Sequence, residues 1–347
     1  MSRRDVAAAL LGLLLLPACG AGGGAAGAAR AAPPTPAATA IATPAPAPAI
    51  SFTGTIVRAP GAPVRFGPGM DMPVMDVEAA GRVDTFDGWL TRPDDPPQPD
   101  AATGRVETWS RDWLRLAGGR GWVSSASVRG RPPAGAAPVA WTPPASLPAA
   151  TAGVLDIAID PQDRRATCEV AALKMALAGR GIATDERALL AAAGIDVRPP
   201  VVSAAGAILR WGDPDAAFVG DPDGDPPDHT GYGVYAAPIA RAATRAGATV
   251  LASGTGIAPA SLYTAVVAGH PAVAWVTNDY RADAVSTWQA WDGAEVRYSL
   301  HEHAVTVIGV TATQVLLDDP YFGQRWHSRA EFEAAYGTFD DMAVILS

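Results

Sequence analysis

Residues 131–150, RPPAGAAPVAWTPPASLPAA, limit what this chain can fold into more than any other segment. Proline fixes φ, lacks the N–H that a helix or inner strand uses, and pushes its predecessor out of the helical region. A stretch this rich in proline interrupts regular structure and marks a domain boundary. Residues 19–50 repeat the pattern with Ala, Pro, Gly and Thr, show no periodic apolar face, and read as a disordered spacer. The chain therefore divides into 1–18, a linker at 19–50, a folded block at 51–130, a linker at 131–150 and a second block at 151–347. Both blocks fall in the usual domain range, and the second is long enough to bury a sizeable core.

Arg3 and Arg4, the apolar run Val6 to Leu16 and the small residues after it form the three parts of an export signal. The run is too short to span a bilayer. Leu16-Pro17-Ala18-Cys19 resembles a bacterial lipoprotein box. That resemblance implies cleavage after residue 18 and lipid on Cys19, which tethers the mature chain to the extracytoplasmic face of the cell membrane. Residues 19–50 would then lift the folded part off that surface. Ser2-Arg3-Arg4-Asp5-Val6 also half-matches a twin-arginine export signal. A net charge of −9 with no basic cluster argues against nucleic acid as a partner.

In residues 51–130, short runs of alternating apolar residues are separated by Gly, Pro and Asp turns, the pattern of a small all-β barrel. Trp113-Leu114-Arg115-Leu116, the glycines at 118 and 119, and Gly121-Trp122-Val123 read as a closing hairpin. The segment resembles bacterial SH3-like domains, which often end in a Gly-Trp-Val strand. The resemblance implies a module that binds peptidoglycan peptides or a surface protein and targets an attached enzyme. Trp89, Trp109 and Trp122 form either its aromatic binding face or part of its core.

The chain has two cysteines, and Cys168 is the one in a folded block. It opens TCEVAALKMALAGRGI, whose apolar positions fit a largely buried helix with Thr167 as N-cap and Gly179 and Gly181 closing the far end. A cysteine in a first helical turn meets unpaired N–H groups and the positive end of the helix dipole, which favour the nucleophilic thiolate. Such a nucleophile requires a histidine to handle the proton. HAVTVIGV, from His303, and QVLLDDPYFG, ending past Asp318 and Asp319, read as adjacent antiparallel strands. That pairing brings His303 beside an aspartate able to fix its tautomer.

Gln162 six residues before Cys168, then CEVAALKMAL, GDPDAAFVGD, GYGVYAAPIA, GHPAVAWVT, HAVTVIGV and LLDDPYFG, resemble in order the papain-like cysteine peptidases of family C-39, and more closely its free-standing C-39-like relatives. The resemblance covers essentially all of residues 152–347. It implies an α+β papain-like domain with Cys168 as nucleophile and His303 as general base and acid. It also implies Asp319, which directly precedes Pro320, as orienting residue and Gln162 as an oxyanion-hole donor beside the Cys168 backbone N–H. Glu169 stands where peptidase members often carry glycine. No transporter domain accompanies the block, which disfavours cleavage of double-glycine leaders.

Tyr232 and Tyr235, in the GYGVY stretch, and Glu169 are further candidates for the cleft, with packing the alternative. For Trp275, Trp288 and Trp291 packing is the default. His301 and His303 would share one side of a strand, but no third ligand stands at a suitable spacing, so neither metal nor cofactor is expected. DPDGDPPDHT lacks the terminal glutamate of a calcium loop and reads as plain surface. Together these features lead to a lipid-anchored cysteine peptidase acting on a peptide or protein. The alternatives are an acyl-transferring transpeptidase or amidase, and an inactive binding or scaffolding lipoprotein.

Overall fold

Residues 50–347 are described by a computed structural model, in which they belong to one compact unit. The signal segment, Cys19 and nearly all of the first spacer lie outside the described residues. Among the described residues no helix is long and apolar enough to cross a membrane.

The first block is all β. Its strands are β1 (Phe52–Ile56), β2 (Gly61–Arg65), β3 (Val74–Ala79), β4 (Val83–Thr91), β5 (Asp112–Leu116), β6 (Gly121–Ser124) and β7 (Val128–Arg129). They pair antiparallel in the order β3-β2-β6-β5-β4-β1-β7. The expected hairpin is present, with Leu114 opposite Val123 and Gly118 and Gly119 at positive φ in the turn. Alternation buries Ile56, Val64, Phe86, Leu114, Leu116 and Val123 in a small core. Trp122 is buried and Trp89 packs at the edge of that core, while Trp109 is half-exposed under the Arg131 guanidinium.

Residues 131–150 contain no helix or strand, as their prolines require. They are nevertheless held: Val139 N–H donates to Trp89 O at 2.8 Å. Thr151 then fastens the chain to the edge of β3, its N–H donating to Val74 O at 3.0 Å and its hydroxyl to Met75 O at 2.8 Å. Two residues later β8 (Gly153–Val154) begins the second block.

That block follows with α1 (Cys168–Ala178), α2 (Glu186–Ala193), β9 (Ile195–Asp196), β10 (Val201–Val202), β11 (Ile208–Trp211), β12 (Phe218–Gly220), β13 (Gly231–Gly233) and α3 (Ala236–Arg245). Next come β14 (Val250–Gly254), α4 (Pro259–Val267), β15 (Ala272–Thr277), β16 (Ser286–Ala290) and β17 (Glu295–Tyr298). The chain ends with β18 (Glu302–Val310), β19 (Gln314–Asp319), β20 (Gly323–Ser328), α5 (Arg329–Gly337) and β21 (Ala343–Leu346). The architecture is a mixed α+β fold. Its main sheet runs β14-β21-β15-β18-β19-β20, antiparallel throughout, with β8 also paired to β18.

β15 and β18 are buried along their whole length because helices cover one face and a second apolar cluster the other. α1 lies against the sheet with Val170, Ala172, Leu173, Ala176 and Leu177 fully buried. Each fully buried leucine contributes roughly 1.5–3 kcal/mol. The Thr306 hydroxyl of β18 donates to Ala172 O at 2.8 Å, which fixes the helix along the strand. This packing sets Cys168 beside the start of β18, where His303 stands.

Candidate active site

Thr167 is the N-cap of α1, but its side chain makes no capping bond. Its hydroxyl donates to Glu186 Oε2 at 2.8 Å, which turns the side chain toward the buried Glu186. Cys168 therefore occupies the first helical position, where a backbone N–H has no intrahelical acceptor. Gly179 closes the helix, and Gly181 follows at positive φ.

β18 and β19 form the expected hairpin, with Thr306 opposite Asp318. His303 Nε2 lies 2.9 Å from Asp319 Oδ1. Three more donors converge on that carboxylate: Tyr280 Oη at 2.6 Å, Tyr321 N–H at 2.8 Å and Phe322 N–H at 2.9 Å. Burial alone would raise the Asp319 carboxyl. The hydrogen bond and charge of His303, with the Tyr280 and Phe322 bonds, outweigh burial and hold it at about 2. Asp319 is thus ionised and can only accept, so Nε2 carries the hydrogen and Nδ1 the lone pair. Tyr280 is itself stacked on His327, ring centroids 3.9 Å apart.

Cys168 and His303 line one pocket of about 260 Å³. Burial, followed by the Glu169 and Glu302 carboxylates, pushes the Cys168 thiol well up, with the Ala304 N–H bond opposing. The helix terminus was expected to favour thiolate; the enclosed, acidic surroundings outweigh it. Glu169 is completely buried beneath the pocket and does not line it. Its Oε1 accepts from Val234 N–H at 2.5 Å, and burial raises its carboxyl to about 8. Glu302 is driven up by burial and by Glu169.

Gln162 lines the pocket, yet both its amide hydrogens are used within its own loop, on Arg164 O at 2.8 Å and Arg165 O at 2.7 Å. Against expectation, the side chain therefore offers no free N–H to an oxyanion in this arrangement. Tyr232 does reach the pocket. Tyr235 does not: its hydroxyl is bonded to Tyr232 Oη at 2.7 Å and Arg297 O at 2.6 Å within a buried aromatic cluster. Trp275 and Trp288 are core, their indole N–H groups bonded to Val234 O and Gly212 O. Trp291 lies away from this pocket, under the guanidinium of Arg210.

Other parts of the pocket were not legible as such. Gly224, Asp225, Pro226 and Pro227, part of the loop read as plain surface, form one rim. Tyr321 and Phe322 form another, 67% and 40% exposed, and a pair of exposed aromatics directly after the DDP stretch was the available signal. His301, just before β18, also lines the pocket but is exposed, and its Nδ1 lies 3.0 Å from Asp283 Oδ2.

The arrangement supplies a thiol, an imidazole with a free lone pair and an ionised carboxylate around one cleft. That set is suited to nucleophilic attack on a carbonyl carbon. Residues 154–344 match the model of the Peptidase_C39 like family. The uncharacterized protein YvpB of Bacillus subtilis (strain 168) is 33% identical over 138 residues, 39% of this chain and 53% of YvpB. The chain thus spans about half the length of that curated relative. A crystal structure described as that of a "putative C39-like peptidase" from Bacillus anthracis is similar at 26% identity and a TM-score of 0.48. The match covers 56% of this chain and 97% of the other.

Proposed function

The chain belongs to the Peptidase_C39 like family, and on that premise we propose that it is a lipid-anchored, extracytoplasmic cysteine peptidase of papain-like fold. The observation that carries this reading is the His303–Asp319 pair, 2.9 Å apart, whose histidine lines the same cleft as a cysteine at a helix N-terminus.

Because the surroundings favour the neutral thiol, the proton leaves Cys168 during attack rather than before it. Nδ1 of His303 takes the Sγ proton as sulfur bonds to the substrate carbonyl carbon. The Cys168 backbone N–H receives the developing oxyanion. Gln162 joins it only after releasing one of its loop bonds. His303 then returns the proton to the leaving amine, and water resolves the acyl-enzyme with the same histidine as base. Asp319 keeps the ring oriented and stabilises its charged form. Attack by an amine in place of water would make the same site a transpeptidase, and the products tell the two apart.

Residues 51–130 serve in this reading as an SH3-like barrel holding the enzyme near peptidoglycan or a surface protein. The antiparallel strand set with a terminal Gly-Trp-Val strand supports that part. Cys19 carries the lipid. One observation favours the inactive binding-lipoprotein reading instead: both Gln162 amide hydrogens are engaged elsewhere.

The test is hydrolysis of a peptide and wall-fragment library by the purified chain, with iodoacetamide labelling of Cys168 across pH. Turnover that disappears in Cys168→Ala and His303→Ala, both still folded by circular dichroism, is the expected result. If no fragment is cleaved and labelling is indifferent to His303, the peptidase reading fails and the binding protein takes its place.

A further inference from the structure

Beneath the cleft, Cys168, Glu169 and Glu302 each direct one ligand-type atom into a cluster whose members all lie within 4.8 Å of one another. The residues come from two elements far apart in sequence, the first turn of α1 and the first residue of β18. Glu169 is fully buried and Glu302 is 7% exposed. Each retains a buried oxygen with no hydrogen-bond partner, Oε2 of Glu169 and Oε1 of Glu302. Burying an unpartnered carboxyl oxygen is costly, and two such groups side by side cannot both ionise without a cation between them. Gly233 lets the two carboxyls come together, since a Cβ there would stand 2.1 Å from Glu169 Oε1 and 3.0 Å from Glu302 Oε2.

We propose that Cys168, Glu169 and Glu302 form a site for one divalent cation of the zinc class. A thiolate with two carboxylates suits a borderline-soft ion and disfavours magnesium and calcium, which take all-oxygen shells. Three protein ligands leave a fourth position toward the cleft, which Cys168 and Glu302 both line, so the ion has a route in. Bond lengths of about 2.0–2.3 Å require the three ligand atoms to draw together around the ion. The thiol proton leaves on binding, as does any proton held between the carboxylates. His303 is outside the ligand set, because the atoms that gather within 4.8 Å of one another belong to Cys168, Glu169 and Glu302.

The consequence for activity rests on the peptidase reading: a metal-bound Cys168 cannot attack, and a chelator restores it. Binding itself does not depend on that reading, and its test involves no turnover. Cobalt(II) is titrated into the purified full chain carrying Cys19→Ser, so that Cys168 is the one thiol, and the near-ultraviolet thiolate-to-cobalt band is followed. One equivalent should develop the band. Cys168→Ser should abolish it, Glu302→Gln and Glu169→Gln should weaken binding by about tenfold or more, and His303→Ala should retain it. Should a glutamine variant fail to fold, zinc protection of Cys168 from iodoacetamide in the otherwise unaltered chain, reversed by chelator, gives the same answer. Absence of a band and of protection overturns the proposal, as does a band insensitive to both glutamates. Loss in His303→Ala equal to that in Glu302→Gln would assign the ion to an ordinary Cys–His pair and overturn it too.

Discussion

Behind one wall of the cleft, formed by His303, Asp319 receives four hydrogen bonds, from His303, Tyr280, Tyr321 and Phe322, and its carboxyl is held at about 2. Beside Cys168, Glu302 lines the cleft and Glu169 lies beneath it; each has an oxygen lacking a partner, and both carboxyls are pushed up. The two places contain the same kind of group, buried to a similar depth, and differ in the donors supplied. Convergent donors make a buried carboxylate a fixed charge that orients its neighbour. Absent donors make it a group that must find a proton or a cation.

The largest expected effect breaks the rigid wall. Asp319→Asn keeps the shape but lets Nε2 face an amide, and turnover measured by peptide cleavage should fall about 10^3- to 10^4-fold. A loss below tenfold would mean the wall does not orient His303. Next comes Asp318, which neighbours Asp319 on β19 yet lies in the opposite environment. Burial raises it to about 6, and Gln324 Nε2 at 2.7 Å is its one donor. Its folded-state value lies above the ordinary aspartate value, so its contribution to stability is intact below about pH 4 and lost as pH rises through about 6. Asp318→Asn should therefore raise stability by on the order of 2–3 kcal/mol at pH 8 and leave it unchanged at pH 4, measured by urea unfolding at both. Asp319 has the reverse sign, its contribution being lost as pH falls toward 2.

A smaller effect sharpens the comparison at the base of α1. Thr167→Val removes the hydroxyl donated to Glu186 and should destabilise by about 1–2 kcal/mol in thermal unfolding. No change would show that the hydroxyl is dispensable at the helix start. The smallest concerns Tyr280→Phe, which takes one of four donors from Asp319. Turnover should drop by roughly three- to tenfold, with unaltered iodoacetamide labelling of Cys168. A drop as large as that of Asp319→Asn would make the tyrosine, rather than the set, the source of rigidity.

The His303–Asp319 pairing was legible because it is local: two β-rich runs and a short turn fix the register, and period two then separates Asp318 from Asp319. The choice of Asp319 over Asp318 came from family resemblance, and the structure pairs His303 with that residue. The Glu169–Glu302 juxtaposition was not legible, since the two residues lie 133 positions apart and only the packing of α1 against β18 brings them together. The same packing explains why Cys168 looked like a thiolate from its helix position while its enclosure favours the thiol. Gln162 was placed at the cleft, but the loop carbonyls that hold its amide carry no sequence signature. Tyr235 differs from Tyr232 by a partner, Arg297 O, that arrives from another strand.

Thr151 has a mechanical consequence. It grips the edge of the N-terminal sheet at Val74 and Met75, and the chain enters β8 two residues later, paired with Gly309 and Val310 of β18. The far end of β18 carries His303. The first sheet and the strand that holds the imidazole are thus joined edge to edge through the four residues Thr151 to Val154.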